Sequence, residues 1–191
     1  MKEFVPFVAK LLAILTVGTD IAIVLFFVSA IVGFFVPALS KLRTRIIHSI
    51  QPYARLLAVL IAFVSMSGSL FYSEVAKYTP CLLCWWQRIF MYPQTLLIGM
   101  GIVKNDKNVA DYSIGLSAVG ASIAAYHYYI QLGGKSFFSC AQIGFSSECS
   151  QRFTLEFGYV SIPMMALSAF VAIIILMLIS RFPPLSRAGR E

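Results

Sequence analysis

The chain has four cysteines, which occur as two pairs in two separate segments. Cys81 and Cys84 have two residues between them in TPCLLCWWQRIFMYP, and Cys140 and Cys149 have eight between them in SFFSCAQIGFSSECSQRF. Paired cysteines can relay electrons by thiol–disulfide exchange, form static disulfides or bind zinc. The eight-residue gap suits a zinc knuckle poorly, so we expect no metal, whereas a relay and static disulfides both remain open.

The surroundings of Cys81 and Cys84 favour a reactive thiolate. Pro80 precedes the pair and an apolar run follows it, which indicates that a helix begins here. The free N–H groups and positive dipole end of a helix N-terminus stabilise an anion, so a thiol there has a lowered pKa. Arg88 follows Cys84 by one helical turn and shares its face. Since arginine keeps its charge, it either snorkels to water or faces a thiolate and a polar ligand.

The composition is that of a membrane protein. Of the 191 residues, 59% are hydrophobic and 12% are charged, and the mean hydropathy is +0.83. A soluble domain is about half apolar and about a quarter charged, so lipid must cover much of this chain. Although the net charge is +7, the basic residues lie in short clusters between apolar runs, which excludes a soluble nucleic-acid-binding face.

Five apolar stretches reach the ~20 residues that a membrane-crossing helix needs. They are residues 11–39, 56–76, 85–103, 109–130 and 157–180. Asp20 interrupts the first stretch. Either the crossing helix begins at Ile21, with residues 4–19 as an amphipathic helix on the surface, or one long tilted helix turns Asp20 toward protein.

Lysine and arginine set the expected orientation. The side that includes residues 41–55, 104–107 and 181–190 carries nine of the fifteen basic residues and is therefore expected to be cytoplasmic. Both cysteine loops and the N-terminus then lie outside, and the C-terminus is cytoplasmic. Disulfides persist outside the cytosol, so the placement of the cysteines agrees with this orientation.

The segment PCLLCWWQRIFMYP resembles the first active-site segment of the DsbB/BdbC disulfide-bond formation proteins and is closer to the BdbC branch. GASIAAYHYYIQ, the Cys140/Cys149 loop and FGYVSIPMMAL agree with the family in order and position, over about residues 55–180. The resemblance implies an all-α membrane protein with a four-helix transmembrane bundle. This chain adds one N-terminal transmembrane helix, and Gln87 stands where the best-known branch has glutamate.

The resemblance also implies an activity. It implies a thiol:quinone oxidoreductase in a bacterial cytoplasmic membrane, which reoxidises a DsbA-like thioredoxin-fold protein and uses membrane ubiquinone or menaquinone. Cys140 and Cys149 are implied to meet the soluble partner, with Cys140 forming the mixed disulfide. Cys81 and Cys84 are implied to lie at the quinone, with Cys84 as the thiolate.

Three further residues match quinone-site positions of the family. Arg88 matches the arginine at the quinone head group, and His127 and Gln131 match a weaker H-x-x-x-Q motif. From the residues alone, a buried histidine such as His127 is usually a satisfied polar residue, although one beside an outer-leaflet cavity can also hold a ligand carbonyl or shuttle a proton. Trp85 and Trp86 are expected to be membrane-interface residues rather than ligand contacts.

We expect three parts of the chain. Residues 1–50 form an N-terminal extension with the extra transmembrane helix and a basic cytoplasmic linker, residues 51–182 form the bundle, and residues 183–191 form a cytoplasmic tail. The competing function is a non-enzymatic membrane scaffold with two structural disulfides. Vitamin K epoxide reductase-like proteins also couple four cysteines to quinone, but their loop pair precedes the C-x-x-C, the reverse of the order here.

Overall fold

The computed structural model describes residues 4–135 and 149–181, and every regular element in these ranges is a helix. The chain is an all-α membrane protein, as predicted. A short 3₁₀ turn joins α2 to α3, and a single π-helical turn follows α3. The α-helices are α1 (Phe4–Phe35), α2 (Pro37–Ile50), α3 (Ala54–Leu70), α4 (Leu82–Val103), α5 (Val109–Gln131) and α6 (Ile162–Ser180).

Helices α3 to α6 form an up-and-down bundle, in which both α3 and α5 pack against α4 and α6. Phe170, Ile173 and Met177 of α6 are fully buried in its core, together with Ile98 of α4. At one end of the bundle, residues 76–84 and 149–161 come together, and we call this the cysteine end. The four-helix arrangement thus brings both cysteine segments to the same place.

Three stretches of the described chain are long and apolar enough to cross a membrane: Phe4–Phe35, Ala38–Val75 and Ile162–Ser180. Helices α4 and α5 are less apolar because they place polar side chains inside the bundle, among them Gln87, Gln94, Ser117 and His127. With 22 and 23 residues, both are still long enough for a hydrocarbon core of about 30 Å.

Helix α1 is one continuous helix of 32 residues, so the prediction of a crossing helix that begins at Ile21 is wrong. The alternative is confirmed, because Asp20 faces the bundle and its carboxylate accepts hydrogen bonds from the hydroxyls of Tyr159 and Ser168. The small side chains of Ala9 and Ala13 are buried where α1 packs. The two hydroxyls replace the water that a carboxylate loses in lipid.

Two other boundaries differ from the sequence prediction. The predicted basic linker after α1 is itself a helix, α2, which begins with Pro37 in its first turn. Helix α6 begins at Ile162 rather than near residue 157, since Phe157 and Gly158 have φ values of 52° and 78°. Such left-handed backbone does not continue an α-helix.

Helices α5 and α6 approach closely at Gly120. A Cβ atom on Gly120 would lie 2.8 Å from Cε2 of Phe170, whose ring is fully buried. We therefore expect Gly120→Ala to lower the free energy of unfolding by about 1–3 kcal/mol through overpacking, measured as a lower unfolding temperature in detergent. Gly115 of the same helix has no atom within 4 Å of its Cβ position, so Gly115→Ala is the control. Equal unfolding temperatures for the two variants would contradict this close packing.

Candidate functional site

Cys81 and Cys84 lie at the start of α4, as predicted. Cys81 is the residue that precedes the helix, and Cys84 lies in its first turn. Residues three apart share a helix face, and the two free thiols hydrogen-bond with their sulfurs 3.2 Å apart. Cys81 is only 3% exposed, whereas Cys84 is half-buried. The two sulfurs therefore have different surroundings.

The ring of His127 joins three parts of the cysteine end. Its Nε2 lies 3.6 Å from the sulfur of Cys81 and 3.1 Å from the carbonyl oxygen of Cys149. Its Nδ1 lies 3.0 Å from the side-chain nitrogen of Gln87. Because the side-chain nitrogen of Gln87 can only donate, Nδ1 of His127 accepts. The neutral ring then carries its proton on Nε2, toward the sulfur of Cys81 and the carbonyl oxygen of Cys149.

Cys149 packs beside Cys81. It is 2% exposed, it is disulfide-bonded, and it shares a buried cluster with Cys81 and Ile130. Cys140 lies outside the described residues, so its predicted contact with a soluble partner stays a prediction. The second cysteine segment is thus held against the first through Cys149 and the ring of His127.

The thiol of Cys81 is acidified by its neighbours. The hydrogen bond from Cys84 lowers its pKa most, burial opposes this effect, and the hydrogen bond from His127 lowers it further, to about 4. The surroundings of Cys81 therefore favour its thiolate form. A thiolate is the form of cysteine that takes part in disulfide exchange.

Arg88 is bound by α3 rather than directed to water. Its Nε donates to the hydroxyl of Ser69 at 3.0 Å, and its Nη2 donates to the carbonyl oxygen of Ser69 at 3.1 Å. The hydroxyl of Tyr92 also donates to Ser69. The guanidinium carbon lies 5.2 Å from the ring centroid of Trp85, which is a cation–π distance. These contacts fix the cation on the same helix face as Cys84.

Cys84 and Arg88 both line a cavity of about 320 Å³ between α1, α3, α4 and α6. Its wall is mostly apolar, with some polar groups, as in many ligand sites. Among the polar wall residues are Ser69, Tyr92 and Gln87. Cys81 is not a wall residue of this cavity, so the cysteine of the pair that borders it is Cys84.

The structure places the remaining predicted site residues elsewhere. His127 and Gln131 do not line the large cavity but a smaller one of about 20 Å³ next to Cys81. Gln131 donates to the carbonyl oxygen of Gln151 at 3.1 Å, which ties α5 to the chain after Cys149. Their predicted binding to a quinone remains a prediction, and their observed contacts are with the thiol pair and its loop.

Sequence reasoning missed Ser69 and the role of Gln87. Ser69 lies in SMSGSLFY of α3, one of several serines there, and no spacing marks the one that meets Arg88 across the bundle. Gln87 was noted only as a departure from the glutamate of another branch. Its position one turn before Met91 of the core could have indicated a buried amide that needs a polar partner.

A metal could use Cys81, Cys84 and His127, whose ligand atoms all lie within 4.8 Å of one another. Structural zinc takes four ligands, and no fourth histidine, cysteine or carboxylate joins this group within the described ranges. Both ring nitrogens of His127 already have polar neighbours, Gln87 and the carbonyl of Cys149. We therefore assign no metal to these residues.

Comparison with known proteins agrees with this architecture. A probable disulfide formation protein C 1 from Bacillus anthracis is 42% identical over 123 residues, which are 64% of this chain and 88% of that protein. Disulfide bond formation protein C from Bacillus subtilis is 38% identical over 120 residues, covering 62% of this chain and 85% of that protein. A probable disulfide formation protein C from Halalkalibacterium halodurans is 42% identical over 122 residues, covering 61% and 84%.

No solved structure matches the chain. The family described as disulfide bond formation protein DsbB matches residues 51–180, which include helices α3 to α6 and all four cysteines. A membrane-embedded helical bundle that presents a C-x-x-C pair beside a disulfide-bonded cysteine at one end agrees with a role in disulfide bond formation. The chain belongs to the DsbB family of membrane disulfide bond formation proteins.

Proposed function

We propose that the chain is a thiol:quinone oxidoreductase, which takes electrons from a DsbA-like thioredoxin-fold protein and passes them through its two cysteine pairs to a membrane quinone. One observation carries this proposal: the Cys81–Cys84 pair has two faces. Cys81 packs beside Cys149, while Cys84 lines the large cavity with Arg88. A single pair therefore touches both a disulfide-bonded cysteine and a site for an electron acceptor.

The first half of the proposed relay is disulfide exchange. A thiolate of the reduced soluble partner attacks Cys140 in a Cys140–Cys149 disulfide, which releases Cys149 as a thiolate. Cys149 attacks Cys81 in a Cys81–Cys84 disulfide, so that a Cys81–Cys149 bond forms and the electron pair leaves on Cys84. The packing of Cys149 against Cys81 supports this order of attack.

The second half of the proposed relay restores the Cys140–Cys149 disulfide. The second thiolate of the partner releases Cys140, and Cys140 attacks Cys149, which frees Cys81 as a thiolate. The partner has then been oxidised, and Cys81 and Cys84 hold the two electrons. This matches the described state, in which the pair is free and Cys149 is disulfide-bonded. The lowered pKa of Cys81 makes it a good leaving thiolate in that step.

The large cavity fits a quinone. Its volume is within the range of small-molecule sites, its polar groups include Ser69 and Arg88, and most of its wall is apolar. A quinone bound there would accept two electrons and two protons from the pair. Arg88, held in place by Ser69, would stabilise negative charge that develops at this end of the cavity. Strongly oxidising thioredoxin-fold partners have reduction potentials of about −120 mV, so the electron acceptor must be at least as oxidising.

We further propose that the cysteine end lies outside the cytoplasm of a bacterial cell. Basic residues are more numerous at the opposite end of the bundle, where Lys104, Lys107 and Arg181 lie. The relatives named above come from bacteria. We also keep the division into an extension of residues 1–50, a bundle of 51–182 and a tail of 183–191 as a proposal, with residues beyond 181 outside the described ranges.

The relay has a direct test. The purified chain in detergent, mixed with a quinone and a reduced thioredoxin-fold oxidase, should consume quinone catalytically, followed by its absorbance. Cys84→Ala and Cys140→Ala should each abolish the turnover, because each breaks the only path between partner and cavity. Quinone consumption that persists in either variant would contradict the relay. No consumption by the unchanged chain would instead favour a scaffold with structural disulfides.

Ser69 should affect quinone turnover because it holds Arg88 in position. We expect Ser69→Ala to lower kcat/KM for quinone about tenfold, since the hydrogen bond from Nε of Arg88 to this hydroxyl is lost and only the one to the carbonyl oxygen remains. Arg88→Ala should lower it on the order of 100-fold, through lost stabilisation of developing charge. The apparent KM for the soluble partner should stay the same in both.

Ser67 is the matched control for Ser69, because it lies on the same helix, is exposed and does not line the cavity. Ser67→Ala should leave quinone kinetics unchanged. If Ser69→Ala and Ser67→Ala behave alike, Ser69 does not position Arg88 for turnover.

His127 should control the acidity of the thiol pair. Since its hydrogen bond favours the thiolate, His127→Ala should raise the pKa of Cys81 by about one unit. The measurement is the rate of thiol alkylation in the reduced chain as a function of pH, which follows the thiolate fraction. The curve should move to higher pH in His127→Ala and stay in place in His48→Ala, a change of the other histidine. Superimposable curves for His127→Ala and the unchanged chain would show that His127 does not acidify Cys81.

A further inference from the structure

Asp20 is a carboxyl group within a membrane helix, and no step of the proposed relay uses it. It lies in α1, outside the range that matches the family, and it is partly buried. Apart from Lys10, α1 has no other charged residue, and α6, against which α1 packs, has none. Within the described ranges, no lysine or arginine forms an ion pair with Asp20. A carboxylate in such surroundings is costly, and binding a proton removes that cost.

The hydroxyl of Ser168 joins Asp20 to the large cavity. Ser168 of α6 and Thr19, the residue before Asp20, both line that cavity. The oxygen of Ser168 is hydrogen-bonded to Oδ1 of Asp20, and it also lies 3.0 Å from the carbonyl oxygen of Met164. Because a hydroxyl has only one proton to donate, Ser168 serves one of these two acceptors at a time.

The contacts of Ser168 suit both protonation states of Asp20. When Asp20 is ionised, the hydroxyl of Ser168 donates to it. When Asp20 is protonated, its carboxyl group donates to Ser168, and the proton of Ser168 turns to the carbonyl oxygen of Met164 or to a group in the cavity. Rotation of one hydroxyl is therefore enough to accompany proton transfer, and neither helix has to move.

Tyr159 joins Asp20 to the cysteine end. Its hydroxyl donates to the other carboxyl oxygen, Oδ2, at 3.1 Å. Its backbone carbonyl accepts a hydrogen bond from the hydroxyl of Tyr128 on α5, which fixes this residue just before α6. Tyr159 is only half-buried, so this side of Asp20 leads toward the surface of the cysteine end.

We propose that Asp20 is a proton-relay group for the acceptor cavity: it takes up a proton from the cysteine end beside Tyr159 and passes it through Ser168 into the cavity. This inference rests on the proposed function, because it takes the large cavity to be the quinone site. Reduction of a quinone takes up two protons, but only Cys84 of the thiol pair borders the cavity. Cys81 faces His127 instead, so its proton leaves on another side.

The proposed step balances in electrons and protons. Oxidation of the Cys81–Cys84 dithiol to a disulfide releases two electrons and two protons. Both electrons and the proton of Cys84 enter the cavity directly, and Asp20 supplies the second proton. The carboxylate of Asp20 then regains a proton from water at the cysteine end, where the proton of Cys81 is released. Arg88 cannot take this role, since arginine keeps its proton.

The first test needs no quinone. Infrared spectra of the full chain in detergent, at the pH of turnover, should contain a protonated-carboxyl band that Asp20→Asn removes. Ser168→Ala should shift this band, because the carboxyl group loses a hydrogen-bond partner. Ser122→Ala is the control, since that exposed hydroxyl also bonds to the carbonyl four residues earlier but does not contact Asp20. Absence of the band would overturn the relay.

The second test is a single turnover, in which the reduced chain is mixed with decylubiquinone and quinol formation is followed by absorbance. Asp20→Asn reproduces the hydrogen bonds of the protonated acid but cannot release a proton. We expect it to lower the rate on the order of 100-fold and to leave the quinone affinity, measured by tryptophan fluorescence quenching, unchanged. Azide, whose small conjugate acid carries protons, should restore part of the rate. Asp111→Asn, which changes a carboxylate that pairs with Arg181 at the other end of the bundle, should have no effect.

The outcomes separate the proton relay from the proposed function. An unchanged rate in Asp20→Asn would overturn the relay and leave the quinone function intact. A lower rate that comes with a lower quinone affinity, or that azide does not restore, would show that Asp20 only holds α1 in place and would also overturn the relay. If the unchanged chain forms no quinol, the proposed function is wrong, and the relay falls with it.

Discussion

The ring of His127 is the contact on which the cysteine end depends. It reaches the sulfur of Cys81, the amide of Gln87 and the carbonyl oxygen of Cys149 at once. Buried polar groups need partners, and here each of the three finds one on the same imidazole. The neutral tautomer is fixed by Gln87, so the ring directs its N–H toward the sulfur and the loop. This side chain, together with Gln131, therefore holds Cys149 and the residues after it against the Cys81–Cys84 pair.

As a consequence, the two sulfurs of one C-x-x-C motif have different surroundings. Cys81 is enclosed by Cys149, Ile130 and the histidine, while Cys84 borders a larger apolar space that contains a fixed cation. The helix start produces this division, since residues three apart share a face but lie about a turn apart in depth. In the proposed relay, thiol exchange and electron release would then take place on opposite sides of one residue pair.

Much of this arrangement could be predicted from the sequence. Apolar length predicted the helices, and the family resemblance predicted the bundle and the neighbourhood of Cys84 and Arg88. The sequence pattern could not predict which side chains hydrogen-bond to each other between helices. Nothing in the chain marks Ser69 as the residue that binds Arg88, or Ser168 and Tyr159 as the donors to Asp20. The sequence predicts His127 near the outer end of its helix, but the residues that its ring faces depend on helix rotation, which the pattern does not show.

The hydrogen bonds of Asp20 also bear on how the protein is made. A carboxylate at the centre of a membrane helix opposes insertion by about 2.5–3.5 kcal/mol. Helix α1 leaves the ribosome before α6, yet the hydroxyls that satisfy Asp20 belong to α6 and to the residues just before it. Helix α1 therefore reaches its settled position only after α6 has been synthesised. Biosynthesis closes the bundle by joining α1 to α6, and the large cavity is completed in that same event.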